Sequence, residues 1–336
     1  MAKNKIIFFE VNSKEKKYLK KKFDKNYMVS FNVEKLTEAN SNLIGDFEIV
    51  SPFIYSEITQ KVLNKAKKLK LIATRSTGFN HIDIKTAKAK KISVANVPYY
   101  GENTVAEHTF AMILALSRNI HRAYVRTTRN DFTLNGLQGF DLKDKTLGII
   151  GAGSIGVHVI KIAKGFGMKV ICYDTRPNHI LTELLDYKYV DLDEILKSSD
   201  IITLHCPYNE HTHHLINMGN IEKVKKGALF INTSRNGIIA PKALYYAIEK
   251  GIFGGAGLDV FEGEELIKEE NQMLTKNVSV DHLEAILKRN ILLRYENVII
   301  TPHMAFDSAE AVERILDTTV DNIKAFSEGK DYHKVI

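Results

Sequence analysis

Apolar residues along this chain fall into short runs of strand length, most followed by a stretch with apolar positions three and four residues apart. The first run covers 6–11, and behind it Tyr18, Leu19 and Phe23 interleave with lysines in a predicted helix over 13–25. Further strands are expected at 28–31, 47–50, 71–74 and 92–95, with a helix over 56–68. A second series runs through 147–150, 168–173, 201–205, 228–232, 254–258 and 298–300, with helices expected at 192–197, 240–248 and 308–328. Strands alternating with helices predict an α/β fold with parallel sheets. At 336 residues, two domains are expected. The segment Asn96-Val97-Pro98-Tyr99-Tyr100-Gly101-Glu102-Asn103 reads as a crossing between them, stiffened by Pro98. Thr104 is expected to cap a long helix reaching about Arg126, with Glu107 completing a capping box.

The polar residues are concentrated where the apolar runs end. After 147–150 comes Gly151-Ala152-Gly153-Ser154-Ile155-Gly156, a G-x-G-x-x-G turn opening a helix. Gly151 suits a tight turn, Gly153 a close approach of backbone to a pyrophosphate, and Gly156 close packing of helix on strand. The free N–H groups of the helix start, including Ser154 and Ile155, suit an anion. Glycines alone also fit a helix packed tightly on its strand. The next strand ends at Asp174, 18 positions after Gly156, where an acid can bond a ribose diol and repel a 2′-phosphate, which favours NAD over NADP. Arg176 lies near enough to lie along an adenine or to receive a phosphate. The turn at 74–83 follows a strand directly, and the amides of Thr77 and Gly78 suit a carboxylate. The plainer alternative is a turn with Asp83 capping the next helix. Arg235, Asp259 with Glu264 beyond it, and His303 lie at the ends of later strands. Each has an ordinary structural alternative, but together they sit where a cofactor's reactive end belongs.

Composition narrows the classes. The 44% of hydrophobic residues can fill two cores, and no apolar run approaches a membrane span. The N-terminus reads as a strand, with no secretory cleavage site after it. Two cysteines, Cys172 and Cys206, are expected reduced and packed, which suggests a cytoplasmic protein. The net charge of +7 comes from dispersed lysines, so neither nucleic acid nor membrane is expected as a partner, though a basic surface can attract small anions. His211, His213 and His214 lack further ligands at metal spacing, and no metal is expected.

Many motifs occur in one order: 77–83, 96–100, 105–108, 151–156, His205-Cys206-Pro207, 215–217, 231–235, 257–262 and Thr301-Pro302-His303-Met304-Ala305. In them the chain resembles the D-isomer-specific 2-hydroxyacid dehydrogenases over nearly its whole length. It is most similar to the D-lactate dehydrogenase branch, through Tyr100, Phe306 and the insertion after Glu264. The resemblance implies two Rossmann-like domains. One is a doubly wound NAD-binding domain over 101–303. The other is a flavodoxin-like substrate (catalytic) domain formed by 1–100 and 304–336. It also implies that Arg235 clamps the 2-oxo acid carboxylate, that His303 donates the proton in reduction, and that Glu264 bonds the imidazole. Thr77, Gly78, Tyr100 and Phe306 would meet substrate. The glycine loop, Asp174, Cys206, Pro207, Thr212, Thr233, Ser234 and Asp259 would hold NAD. The implied activity is NADH-dependent reduction of pyruvate to D-lactate by a homodimer, with other 2-oxo acids or an NAD-sensing corepressor as alternatives. Gly101, Ser154 and Glu265 depart from common residues of the family, and 266–296 is longer than in most relatives.

Overall fold

The computed structural model describes residues 4–261, 287 and 290–336. Its contacts divide the chain into two compact units, one of Met1–Tyr100 with Ser308–Ile336 and one of Gly101–Asp307.

In the first unit, β1 (Asn4–Phe8), β2 (Tyr27–Phe31), β3 (Ile49–Ser51), β4 (Leu71–Ala73) and β5 (Ser93–Ala95) form a sheet in the order β2-β1-β3-β4-β5. All neighbours pair parallel. This is the flavodoxin-like order. Helices α1 (Ser13–Lys22), α2 (Gln60–Lys65) and α3 (Ile84–Ala89) connect the strands. Successive residues from Ile6 to Phe9 alternate between two cores, Ile6 and Phe8 in one, Ile7 and Phe9 in the other. A parallel strand covered on both faces reads as an unbroken apolar run, which is why the run was visible in the sequence. The C-terminal helix, Ala309–Ser327, supplies Leu316, Val320 and Ile323 to one of these cores. The chain then runs along edge strand β5, where Val335 N–H donates to Val94 O at 2.7 Å and Lys334 bridges Ala95 antiparallel.

The second unit opens with α4 (Glu102–Ser117) and α5 (Ile120–Thr127). The expected capping box at Thr104 does not form: Gly101 is the N-cap, without a side-chain cap, and Thr104 lies buried inside the helix. Nor is there one helix to Arg126. Asn119 takes a left-handed φ of 52°, which ends one helix and starts the next. A side-chain amide tolerates that conformation better than most residues.

After these come β6 (Thr146–Ile150), α6 (Ser154–Gly165), β7 (Lys169–Tyr173), α7 (His179–Leu185), β8 (Lys188–Tyr189), α8 (Leu192–Ser198) and β9 (Ile201–Leu204). The series continues with β10 (Ala228–Asn232), α9 (Pro241–Glu249), β11 (Phe253–Leu258) and β12 (Val298–Ile300). The sheet order is β12-β11-β10-β9-β6-β7-β8, parallel throughout. The direction of winding reverses between β6 and β9, the doubly wound arrangement whose switch point receives a dinucleotide. Leu229 and Ile231 of β10 face one core and Phe230 the other. The sequence pattern also predicts a helix over 280–289, of which only Leu287 is among the described residues, and Glu264 lies outside them.

Candidate active site

The C-terminal ends of the second unit's strands carry most of the expected chemistry. Gly151 follows β6 with φ +99°, and a Cβ there would stand 2.5 Å from the backbone N of Cys206, which follows β9. A Cβ on Gly156 would meet the carbonyl O of Gly151, whereas nothing lies within 4 Å of one on Gly153. Thus two glycines are demanded by the protein's own backbone and the middle one opens on empty space. Gly153 is also the N-cap of α6 and brings no side-chain cap, so the first-turn N–H groups are left for an outside acceptor. Asp174, just past β7, accepts from Ala152 N–H and Arg176 N–H, each at 2.8 Å. Its carboxylate therefore braces the glycine loop. An open anion site flanked by a carboxylate fits a dinucleotide without a 2′-phosphate.

Other expected contacts prove to be partly spent inside the protein. Ser234 donates its hydroxyl to Cys206 O at 2.6 Å and so ties the β10 loop to the β9 loop. Thr233 shares a hydrogen bond of 3.1 Å with Thr109 of α4. Thr212 donates to Pro207 O at 2.7 Å and receives Asn209 N–H, closing its own loop. Burial pushes the Cys206 thiol up to about 11, so at neutral pH it offers packing and backbone rather than a thiolate. Burial pushes the neighbouring His205 down to about 3; its Nδ1 is enclosed without a partner among the described residues, and Nε2 lies 2.9 Å from Thr203 Oγ1.

Arg235 follows β10, half-buried, with its backbone O held by Asn232 Nδ2 at 2.9 Å and its Nη1 donating to Ser234 O at 2.8 Å. His303 follows β12 in a left-handed conformation, φ +53°, uncommon for a residue with a side chain. Its N–H is shared between Asp259 O and Thr301 O, each at 3.0 Å. Asp259 is fully buried. Oδ1 accepts from Thr301 Oγ1 and from Met304 N–H at 2.9 Å, and Oδ2 from Ala305 N–H at 2.9 Å. Burial alone would raise this carboxyl, but donors from His108, Thr301, Ala305 and Met304 bring it below the usual range, so it stays ionised. In the sequence His108 stands out only as part of the motif at 105–108. Its signal was a polar residue on the apolar face of α4, three after Val105 and four before Met112.

In the first unit, the turn after β4 is stitched from its own side chains. Thr77 Oγ1 donates to Val97 O at 2.7 Å, Asn96 Nδ2 to Thr77 O at 2.9 Å, and Ser76 Oγ to Gly78 O at 2.7 Å. The amides of Thr77 and Gly78 donate to no acceptor among the described residues, and Asp83 caps α3 through Thr86 N–H at 2.9 Å. The capping role of Asp83 is therefore present, and the two amides stay uncommitted. Tyr100 lies at the end of the unit, its carbonyl bonded by Arg314 Nε, while Phe306 is half-buried in the second unit. Arg75, a cation in the same turn, is buried, only 2% exposed. It donates to the carbonyls of Phe9, Glu10 and Ser51 at 2.7, 2.9 and 3.1 Å and lies over the rings of Phe8 and Phe53. The guanidinium is thus spent on carbonyls where β1 and β3 end, that of Ser51 also accepting Phe9 N–H at 3.0 Å.

Residues 110–305 match the model of the D-isomer specific 2-hydroxyacid dehydrogenase NAD-binding domain. The chain belongs to this dehydrogenase family. A D-lactate dehydrogenase of Escherichia coli is 37% identical over 325 residues, covering 93% of this chain and 96% of that one. An aromatic 2-oxoacid reductase of Clostridium sporogenes is 40% identical over 270 residues, 80% of this chain and 79% of that one. The crystal structure of a D-lactate dehydrogenase from Aquifex aeolicus, complexed with NAD and lactic acid, superposes with a TM-score of 0.87 at 38% identity, covering 96% of each chain. The protein is an oxidoreductase whose cofactor is NAD.

Proposed function

We propose that the protein is a D-lactate dehydrogenase that reduces pyruvate with NADH. The observation that carries the reading is the gathering, at the strand ends of one sheet, of an open anion site at Gly153, a guanidinium at Arg235 and an imidazole at His303. When bound, NADH supplies a hydride to the carbonyl carbon. Arg235 holds the substrate carboxylate and draws electron density towards the carbonyl oxygen, so charge developing there is stabilised where it forms. His303 gives a proton from a ring nitrogen to that oxygen, completing the alcohol, and takes it back in oxidation. The family resemblance assigns Glu264, which lies outside the described residues, as the partner of the imidazole. The family resemblance assigns the amides of Thr77 and Gly78 to the substrate carboxylate and Tyr100 and Phe306 to the substrate's side chain. The lactate-active relatives support pyruvate, and the aromatic 2-oxoacid reductase marks the main alternative.

A homodimer is part of this proposal. No residue of α5 is buried, and Tyr124, Phe132 and Leu134, in α5 and the loop after it, are 68%, 75% and 84% exposed. A second copy covering this apolar set would account for it. Two buried, free cysteines support a reducing compartment, the cytoplasm.

The test is a substrate panel of pyruvate, glyoxylate, phenylpyruvate and 2-oxoisocaproate, followed at the nicotinamide band. Arg235→Ala should lower kcat/KM about 100-fold or more, and His303→Ala should abolish turnover while still binding NADH. Pyruvate outpaced by phenylpyruvate would move the assignment to an aromatic acid. NADH binding without turnover of any acid would sink the enzyme reading in favour of a sensor.

A further inference from the structure

His303 depends on a backbone conformation that a side chain disfavours, so something must hold its turn. The hydrogen bonds identify the holder as Asp259, whose carbonyl takes the amide of His303 and whose carboxylate takes those of Met304 and Ala305. Asp259 is itself fixed from outside the turn. His108 of α4 lies with Nε2 3.5 Å from Asp259 Oδ1 and 3.3 Å from Thr301 Oγ1, its side chain 17% exposed. These separations are long for two separate bonds and suit one proton shared between two acceptors. The direction is settled by chemistry. An ionised carboxylate only accepts, and the proton of Thr301 is already given to Asp259. His108 must therefore carry its hydrogen on Nε2.

We propose that His108 is a positioning residue for proton transfer: by donating to Asp259 and Thr301 it fixes the turn that presents His303. This rests on the reading of His303 as the proton donor. His108 touches no reacting atom. It acts through the buried carboxylate, as partners behind a reactive group commonly do. A helix that also bonds Thr233 through Thr109 and packs against β10 and β11 thereby sets the geometry of a loop following β12.

Two variants separate the donor from the bulk of the ring. His108→Leu removes the proton, and His108→Gln restores an N–H at nearly the position of Nε2. For His108→Leu, kcat for pyruvate reduction should fall about tenfold or more, the size of one lost hydrogen bond to a charged group. NADH affinity should stay within about twofold, and His108→Gln should recover most of kcat. Hydrogen exchange of the segment 301–306 supplies a readout independent of turnover. It should quicken in His108→Leu and return in His108→Gln. Unchanged exchange, or quickened exchange with an unchanged kcat, overturns the proposal. Equal losses in both variants, with a lower Tm, would assign His108 to packing and likewise overturn it. His303→Ala, assayed in parallel, judges the proton-donor reading separately, because the exchange experiment does not depend on it.

Discussion

The three glycines of the 151–156 loop should respond to the same substitution in different ways, and the structure gives the sizes. Gly153→Ala adds a methyl where nothing lies within 4 Å, at a φ of −74° that any residue adopts. An alanine N-cap is weaker than glycine by a few tenths to about 1 kcal/mol. The smaller entropy of the unfolded chain offsets about 0.4–1 kcal/mol. Tm should therefore stay within about 2 °C of the wild type. The methyl would, however, occupy the approach of the pyrophosphate. Loss of one charge-assisted bond, about 1.5–3 kcal/mol, predicts NADH binding weaker by roughly ten- to a hundredfold. Gly151→Ala must adopt φ +99° and bring Cβ to 2.5 Å from the Cys206 backbone. Conformational strain of about 1–2 kcal/mol and a backbone displacement of about 1–3 kcal/mol should lower Tm by roughly 5–15 °C. Gly156→Ala, facing the Gly151 carbonyl, belongs with it. The assay is NADH fluorescence beside thermal unfolding, and the absence of tryptophan from the chain keeps the nicotinamide signal clear of energy transfer. A Gly153→Ala protein with wild-type NADH affinity would refute the placement of the pyrophosphate. A Gly151→Ala protein with unchanged Tm would refute the steric reasoning.

Two further outcomes follow from buried or braced groups. Asp174→Ala should weaken NADH about tenfold or more, because it removes the proposed ribose partner and also releases Ala152 N–H. The preference for NADH over NADPH should shrink, and an unchanged ratio of the two dissociation constants would contradict the ribose assignment. His205 is held down to about 3 by burial, below its unfolded value near 6.5, so between these limits the unfolded chain binds the extra proton. Its stability contribution is whole above about pH 6.5 and is lost as pH falls towards 3, up to about 2 kcal/mol by pH 5. His205→Gln should flatten the decline of Tm between pH 7 and 5, and an unaltered slope would show that the ring is not enclosed in solution.

Much of the fold was legible because parallel strands buried on both faces leave unbroken apolar runs. The runs at 228–232 and 298–300 coincide with β10 and β12 to the residue. Where the pattern misled, a single residue decided. The apolar face of 105–116 continues into α5, and no periodicity reveals that Asn119 turns left-handed between them. At the site, residue types marked the places and hid the roles. Arg75 and Arg235 are both cations behind a strand, but one meets carbonyls at the ends of two neighbouring strands and is absorbed. That depends on strand order, which the chain does not spell out locally. His108 was equally hidden, since its partners lie far along the sequence at Asp259 and Thr301.

The motif residues of the second unit divide into two physical kinds. One kind spends its polar groups on other loops. Ser234 binds the β9 loop, Thr233 binds α4, Asp174 binds the glycine loop, and Asp259 binds the turn of His303. The other kind leaves donors uncommitted, as at the start of α6. Catalysis by oriented charges requires donors held in place before the substrate arrives, because donors that must reorganise cost free energy at the moment of reaction. The first kind meets that requirement for the second. Its polar side chains join loops that follow different strands, β6 to β7, β9 to β10 and β11 to β12, so that several strand ends act as one rigid edge. A substitution among the bracing residues should therefore disturb groups it never touches. Loss of Ser234 would reach Arg235 through the Cys206 tether, and loss of Asp259 would reach His303 through its amide. Kinetic effects at such positions measure the rigidity of the edge, and contact with NAD or substrate has to be established separately, by binding.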